Sequence, residues 1–332
     1  MDKVDVIIPS YKPDDKFIKL IDRLEHQSIA INQIIIMNTE QKYYDRLVYG
    51  NPAIKNYHNI QVKHISKREF NHGRTRNRGV KHSDASYFIM MTQDAVPADE
   101  YLVEKLLSKL QDSRVAVAYA RQLASPESGL VEQYTRSFNY PEQSMVKTRQ
   151  DLPALGIKTF FCSNVCAAYN RQIFDGLGGF IKHTIFNEDM LYAAKAVEAG
   201  YGIAYVAEAK VFHSHNYTNT EQFHRNFDLG VSQADHPEVF AKYPSESEGM
   251  RLVKQTVRYL KEQKQRKLIP HVICQSGFKY MGYLLGKNYR KLPRRLAILL
   301  SSNQEYWRQD SLKKDSRKID PARGYGRSEQ ES

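Results

Sequence analysis

Lys3-Val4-Asp5-Val6-Ile7-Ile8-Pro9 is a short apolar run ended by a proline, and it reads as a buried strand. The segments after it decide the architecture. A loop rich in Pro and Asp leads into a helix expected over about 15–27, and Gln33 to Met37 forms a second apolar strand. Ile60 to Ile65 makes a third, Asn71 to His82 a helix, Tyr87 to Met91 a strand, Asp99 to Gln111 a helix and Val115 to Tyr119 a further strand. Strands alternating with helices at this spacing imply an α/β fold with a largely parallel sheet and right-handed crossovers. In such open sheets ligands bind beyond the carboxyl ends of the strands, where Ser10, Asn38 and Asp94 fall.

Further along, the pattern breaks and returns. Residues 121–160, with Pro126, Gly129, Pro141 and Pro153, are irregular, and a long segment of this kind is expected to fold over an active site or touch a partner. Ser163 to Tyr169 is regular again, followed by a helix from Asn187 to about Ala199 and by strands near 203–206 and 209–212. From Thr220 the chain reads as mostly helical. There Ile269, Val272, Ile273, Met281, Leu284 and Leu285 fit an amphipathic stripe, for which core packing is the expected use and membrane contact the alternative. The expected division is a nucleotide-binding and catalytic domain over 1–218, a helical region over 219–307, and a polar tail over 308–332 read as disordered.

Composition narrows the function classes. At 332 residues with 41% hydrophobic side chains, the chain can bury a substantial core. Cys162, Cys166 and Cys274 are too few and scattered for a disulfide framework and lack zinc-finger spacing, so they read as reduced thiols and a cytoplasmic location is expected. The N-terminus runs straight into a strand with no signal peptide, and no stretch approaches the roughly 20 apolar residues of a membrane span. The net charge of +12 is uneven: residues 251–332 hold 20 Lys/Arg against 7 Asp/Glu, whereas residues 1–250 hold 29 against 30. That C-terminal surplus fits either a solvated helical surface or attraction to anionic lipid at the inner face of the cell membrane. Nucleic acid is not an expected partner, because no recognised binding motif accompanies the charge.

The chemistry concentrates in two segments. Met91-Thr92-Gln93-Asp94-Ala95-Val96-Pro97 places an acid at the end of a strand, and Asn187-Glu188-Asp189 places two acids at a helix start. An apolar strand then ends in Val211-Phe212-His213-Ser214-His215. A strand-end Asp94 with His213 makes a hard-cation site for Mg²⁺ or Mn²⁺ facing a substrate diphosphate, and the remaining acid can serve as a general base. Each feature has a plainer alternative. Asp94 resembles a turn residue, Asn187 a helix N-cap, and the two acids a first turn stabilised by the helix dipole. His213 and His215 alternate along the strand, so only one is expected at a metal, with His213 favoured. Phe70 to Gly79 carries Arg74, Arg76 and Arg78 with Gly73 and Gly79 at a predicted helix start, which suits phosphate, although it does not match a P-loop.

Taken in order, Val6-Ile7-Ile8-Pro9-Ser10-Tyr11, His72-Gly73 through Arg76-Asn77-Arg78-Gly79, Gln93-Asp94, Gly178-Gly179-Phe180, Glu188-Asp189 and His213 resemble the family 2 glycosyltransferases of GT-A fold over about residues 3–215. Thr92-Gln93-Asp94-Ala95-Val96-Pro97, Phe70-Asn71-His72-Gly73 and Val211 to Tyr217 are similar to bacterial rhamnosyltransferases within that family. The resemblance implies a nucleotide-sugar donor, dTDP-rhamnose by this likeness, and a saccharide or lipid-linked saccharide acceptor. It also implies an inverting single displacement with Asp189 as base, while Glu188 orients the loop or binds the acceptor. Pro9, Ser10, Tyr11 and the Asn38-Thr39-Glu40 turn would hold the nucleoside. Gly73 and Arg76 would lie near the nucleoside or diphosphate, and Gln93-Asp94 near the metal. The chain departs from the commonest pattern in having Thr92 at the first position of the Asp-x-Asp motif and Asn38-Thr39 where two acids are more usual. Two other readings compete: a nucleotidyltransferase, against which stands the lack of a Gly/Arg/Lys-rich loop after the first strand, and a degenerate, non-catalytic scaffold of the same fold.

Overall fold

The computed structural model describes residues 2–215 and 217–308. Among them the strands are β1 (Val4–Tyr11), β2 (Gln33–Thr39), β3 (Ile60–Ile65), β4 (Tyr87–Met91), β5 (Val96–Pro97), β6 (Val115–Leu123), β7 (Met145–Lys147), β8 (Cys166–Asn170) and β9 (Gly202–Phe212). The helices of the sheet-bearing part are α1 (Asp15–Glu25), α2 (Gln41–Gly50), α3 (His72–Val80), α4 (Leu102–Leu110), α5 (Leu130–Asn139), α6 (Leu152–Leu155), α7 (Arg171–Gly176) and α8 (Glu188–Glu198). Beyond it come α9 (Asn219–Asp235), α10 (Pro237–Phe240), α11 (Glu246–Glu262), α12 (Ile269–Lys287) and α13 (Arg294–Leu300). One sheet runs β3-β2-β1-β4-β8-β6-β9-β5, with β7 added against β9.

The parallel half of the sheet, β3-β2-β1-β4, arises directly from the alternating pattern. Side chains of β1 divide by the two-residue period: Val4, Val6 and Ile8 join the core beneath α1 and α4, while Ile7 points into the core shared with α8. Helix α1 begins where the Asp14 side chain accepts the Lys16 N–H, and it buries Phe17, Leu20, Ile21 and Leu24 at helical spacing. The second half is mixed. Strand β8 enters antiparallel between β4 and β6, and β9 then returns parallel to β6. Because β4, β6 and β9 all end on the same side, Asp94, Gln122 and His213 are delivered to one edge of the sheet.

Several expectations change. The two strands near 203–206 and 209–212 are one strand, β9, whose pairing with β6 slips between Ala120 and Arg121, an irregularity of β-bulge type. Helix α2 was not expected, since it is polar and buries only Tyr44 and Leu47. The irregular 121–160 segment contains α5, an unexpected helix whose apolar side chains Val131, Tyr134 and Phe138 are not fully buried. The polar tail, apart from Arg308, lies outside the described residues. Cys162 and Cys166 are buried free thiols.

The stripe on α12 is the largest correction. Val272, Gly282, Tyr283 and Gly286 are its buried residues, while Ile273, Met281, Leu284 and Leu285 are exposed rather than packed in the core. Glycine, not leucine, decides which side faces inward, because α9 and α12 meet almost backbone to backbone. A Cβ on Gly286 would stand 2.1 Å from the Phe227 carbonyl oxygen, and one on Gly282 2.2 Å from that of Phe223. Gly286→Leu should therefore push the helices apart and cost about 3 kcal/mol or more of stability. Leu285→Ala on the exposed side should stay within about 0.5 kcal/mol. Urea unfolding of both variants checks this.

Candidate active site

The acid pair at the head of α8 is held from below by three residues. Asn187 precedes it with φ of 63°, a left-handed conformation that Asn tolerates better than most residues. Its side chain makes no cap; Asn187 Nδ2 instead donates to Ser232 Oγ at 3.2 Å, so the expected N-cap role is replaced by a positioning one. Glu188 is buried and meets Arg76 Nη1 at 3.2 Å and Asn164 Nδ2 at 3.1 Å, both on the same carboxylate oxygen. Burial raises the Glu188 carboxyl, but the Arg76 guanidinium, His72 and the Asn164 hydrogen bond together outweigh it and hold the group below its ordinary value. Asp189 accepts the Asn164 backbone N–H at 2.9 Å and the Met190 N–H at 2.8 Å. Burial and the adjacent Glu188 charge push Asp189 up to about 7. Two neighbouring carboxyls are thus driven apart, one fixed as an anion and one poised to exchange a proton at neutral pH.

At the edge of the sheet, Asp94, His213 and His215 converge, each offering a ligand atom within 4.8 Å of the others. His215 Nε2 lies 3.3 Å from Asp94 Oδ2, and His213 Nε2 lies 3.6 Å from Asp94 Oδ1. The alternation argument admitted only one histidine, but β9 ends at Phe212. Past the strand the chain is free to turn, and both rings reach Asp94. Burial pushes His213 down to about 3 despite the Asp94 charge, so its imidazole is neutral at ordinary pH. The same argument lowers His215.

Gln122 fixes which nitrogen of His213 faces the acid. Arg136 Nη1 can only donate, so the atom it meets at 2.6 Å is the Gln122 amide oxygen. That oxygen lies 2.9 Å from His213 Nδ1, which must then carry the proton, leaving the Nε2 lone pair toward His215 Nε2 at 2.9 Å, with Asp94 Oδ1 beside it at 3.6 Å. A neutral imidazole in that tautomer beside a carboxylate is the donor set that divalent cations take. The other end of the Gln122 amide donates to Ser163 Oγ at 3.0 Å. Ser163 adjoins Asn164, the residue holding both acids, so two hydrogen bonds and one backbone link connect Gln122 to Asp189.

The residues expected to hold the nucleoside lie at and just past the ends of β1 and β2. Ser10 Oγ donates to Asn38 Oδ1, and Asn38 in turn contacts His64 Nδ1 at 3.0 Å, with Asn38 and Thr39 wholly inside. Pro9 is part-buried in register with Met37. Tyr11 is exposed, set edge-on to Tyr43 with Lys12 over its ring. Gln93 buckles β1 to the loop after β4, receiving the Tyr11 N–H at 2.8 Å and donating back to its carbonyl. Glu40, at φ 65°, accepts the Lys67 N–H at 2.7 Å. Gly73 packs closely against the chain: a Cβ there would fall 1.8 Å from the Ile181 carbonyl oxygen. The Arg76 guanidinium likewise faces Glu188.

Comparison with known proteins decides the family. The family model described as glycosyl transferase family 2 matches residues 5–178. The chain belongs to glycosyl transferase family 2. It is 38% identical over 307 residues to the O-antigen chain rhamnosyltransferase RfbN of Salmonella typhimurium, covering 92% of this chain and 96% of that one. It is 37% identical over 305 residues to the O-antigen chain rhamnosyltransferase WbaN of Salmonella anatum, covering 91% and 95%. Among solved structures, the mannosyltransferase PcManGT of Pyrobaculum calidifontis, in complex with GDP-Man and Mn²⁺, superposes with a TM-score of 0.53 at 14% identity, covering 96% of this chain and 88% of that one. S. aureus TarS 1-349 with UDP-GlcNAc gives 0.50 at 14% identity, covering 87% and 92%. These likenesses at low identity show the GT-A fold; the family match and the two relatives make the chain a glycosyltransferase.

In this family 2 enzyme, sequence reading missed four neighbours of the site. Gln122 and Arg136 lie in the segment read as irregular, although a polar residue at the end of an apolar strand is the signal that found Asp94. His72, pushed down to about 4 chiefly by burial, touches Arg76 within α3. Arg225 stacks on Tyr217 at 4.6 Å from the ring centre, and no local pattern marks it. The Arg76–Glu188 pair carries a direct test. Arg76→Met leaves a buried carboxylate without its partner and should cost about 3–5 kcal/mol, while Arg76→Met with Glu188→Gln should recover most of that. Urea unfolding of the single and double variants measures the coupling.

Proposed function

We propose that this glycosyltransferase moves rhamnose from dTDP-rhamnose to a saccharide or lipid-linked saccharide acceptor during cell-surface polysaccharide synthesis, by an inverting single displacement. The observation that carries the mechanism is Asp189, a part-buried carboxyl raised to about 7 and tied through Asn164, Ser163 and Gln122 to the Asp94–His213–His215 group. The donor is inferred from the two relatives named rhamnosyltransferases, which match over more than nine-tenths of the chain.

In this reading Asp189 takes the proton from an acceptor hydroxyl as that oxygen bonds to the anomeric carbon. The bond from that carbon to the diphosphate oxygen breaks, and its electron pair leaves with dTDP. The transition state has oxocarbenium character. Mg²⁺ or Mn²⁺ held by Asp94 and His213, with His215 beside them, would supply charge neutralisation for the departing diphosphate. Arg225 lies on the same side and adds positive charge. Glu188 and Asn164 keep the base in place. Tyr11, with the Ser10–Asn38 floor beneath it, gives the nucleoside an aromatic surface.

The acceptor has a cavity of about 360 Å³ beside the metal-type group, lined by Arg121, Gln122, Gln133, Arg136, Tyr140 and Phe212 among others. Planar polar groups beside aromatic rings suit a sugar. Residues 1–218 act as the catalytic unit and 219–307 as a helical unit packed on it, working in the cytoplasm against the inner membrane face. No helix among the described residues is long and apolar enough to cross a membrane, which fits contact from one side.

A donor screen tests the substrate. Incubated with Mg²⁺ or Mn²⁺, the enzyme should release nucleoside diphosphate from dTDP-rhamnose but not from UDP-glucose, UDP-galactose or GDP-mannose, and EDTA should stop it. Release from another donor would discard rhamnose and keep the mechanism. Asp189→Asn should lower transfer by about 10²–10⁴-fold while donor binding survives. Below about 7 the Asp189 carboxyl is protonated and cannot accept a proton, so the rate should rise with pH through that value and level off above it. A flat profile from pH 5 to 9, with folding intact, would remove Asp189 as the base.

A further inference from the structure

The exposed side of α12 has no charge on it. Ile273 is 57% exposed, Tyr280 54%, Met281 49%, Leu284 40% and Leu285 37%, and at 100° per residue they fall on one face of a helix about 28 Å long. The buried residues Val272, Gly282, Tyr283 and Gly286 occupy the opposite face, against α9. Five large apolar side chains open to solvent in one stripe exceed what scattered surface residues account for. Basic residues bracket the stripe. Lys264, Arg266 and Lys267 stand exposed just before α12, and Arg290, Lys291 and Arg295 just after it. Over 251–308 the chain has 14 Lys/Arg against 2 Asp/Glu, so the surplus seen in the sequence resides in these helices rather than in the tail.

From this geometry we infer that the exposed face of α12 is a docking surface for an anionic lipid bilayer, lying in the plane of the head groups with its apolar side chains inserted and its two basic ends on lipid phosphates. The inference deepens the lipid-linked acceptor reading above and names the surface that would meet the membrane. Charge selects this occupant over a second copy of the chain. Pairing two α12 faces in either direction sets basic ends against basic ends, which repel, whereas an anionic surface complements both ends at once. Position agrees. Lys279, on the inward side of α12, lies within electrostatic reach of Glu132 and Arg136, and Arg136 lines the acceptor cavity. The helix proposed to rest on the bilayer thus has one side chain within electrostatic reach of a residue that lines that cavity.

The test uses the full chain and sucrose-loaded vesicles of phosphatidylcholine with or without phosphatidylglycerol. The native protein should pellet with the anionic vesicles and stay in solution with the neutral ones. Met281→Glu/Leu284→Glu should lower pelleting on anionic vesicles by about tenfold or more, and donor turnover measured without lipid should be unchanged. Should that pair fail to fold, Ile273→Glu at the far end of the stripe serves in its place. Equal pelleting by native and variant protein, or no pelleting of the native chain, would overturn the inference. So would a native dimer in sedimentation velocity that the variant dissolves, because the stripe would then belong to a second copy. Loss of donor turnover bears on the transferase reading alone, and the vesicle assay does not depend on it.

Discussion

The site rests on one buried ion pair, Arg76 with Glu188. Both side chains are more than nine-tenths enclosed, so each charge is tolerable only because of the other. The pair joins α3, which comes after the first three parallel strands, to α8, which comes after the antiparallel insertion. Around it Asn77 exchanges two hydrogen bonds with Phe180, and Gly73 lets α3 touch the Ile181 backbone. Burial lifts the Asp189 carboxyl, and the same Glu188 charge adds to that lift. A structural interaction thus helps set the proton affinity of the residue next to it.

Much of this was legible in the sequence, for reasons that differ by residue. The parallel strands were readable because each is a continuous apolar run, and Asp94 and His213 because a polar group ending such a run has no packing role there. Glu188 and Asp189 stood out as adjacent acids at a helix start. Their division of labour was not readable, since it depends on Arg76 lying on one of them and the Asn164 backbone on the other. Helix α5 was masked by the breakers that flank it, Pro126, Gly129 and Pro141. The α12 stripe misled because leucines usually mark the inward face, whereas close backbone contact here reserves that face for glycine. Residue type and resemblance said nothing of the protein partners of Gly73 and Arg76, which are the Ile181 backbone and Glu188.

The Asp94–His213–His215 group shows how a second layer of polar contacts defines a site. Three ligand-type side chains could adopt several proton arrangements. Gln122, with its orientation fixed by Arg136, selects the one that leaves a lone pair inward. The same glutamine touches Ser163 and so reaches the acid pair.

The insertion of β8 between β4 and β6 has a consequence for how the chain is made. During synthesis the parallel half, β3-β2-β1-β4, is complete well before residues 166–170 leave the ribosome, and its local βαβ connections let it form early. Until β8 arrives, the outer edge of β4 is an unpaired row of backbone donors and acceptors on a hydrophobic strand, a template for pairing with other chains. Asp94 lies just past that edge, and its histidine partners are made later still. The nascent protein thus carries its parallel half for a long interval before its mixed half exists, and that interval is the one in which it is most exposed to aggregation.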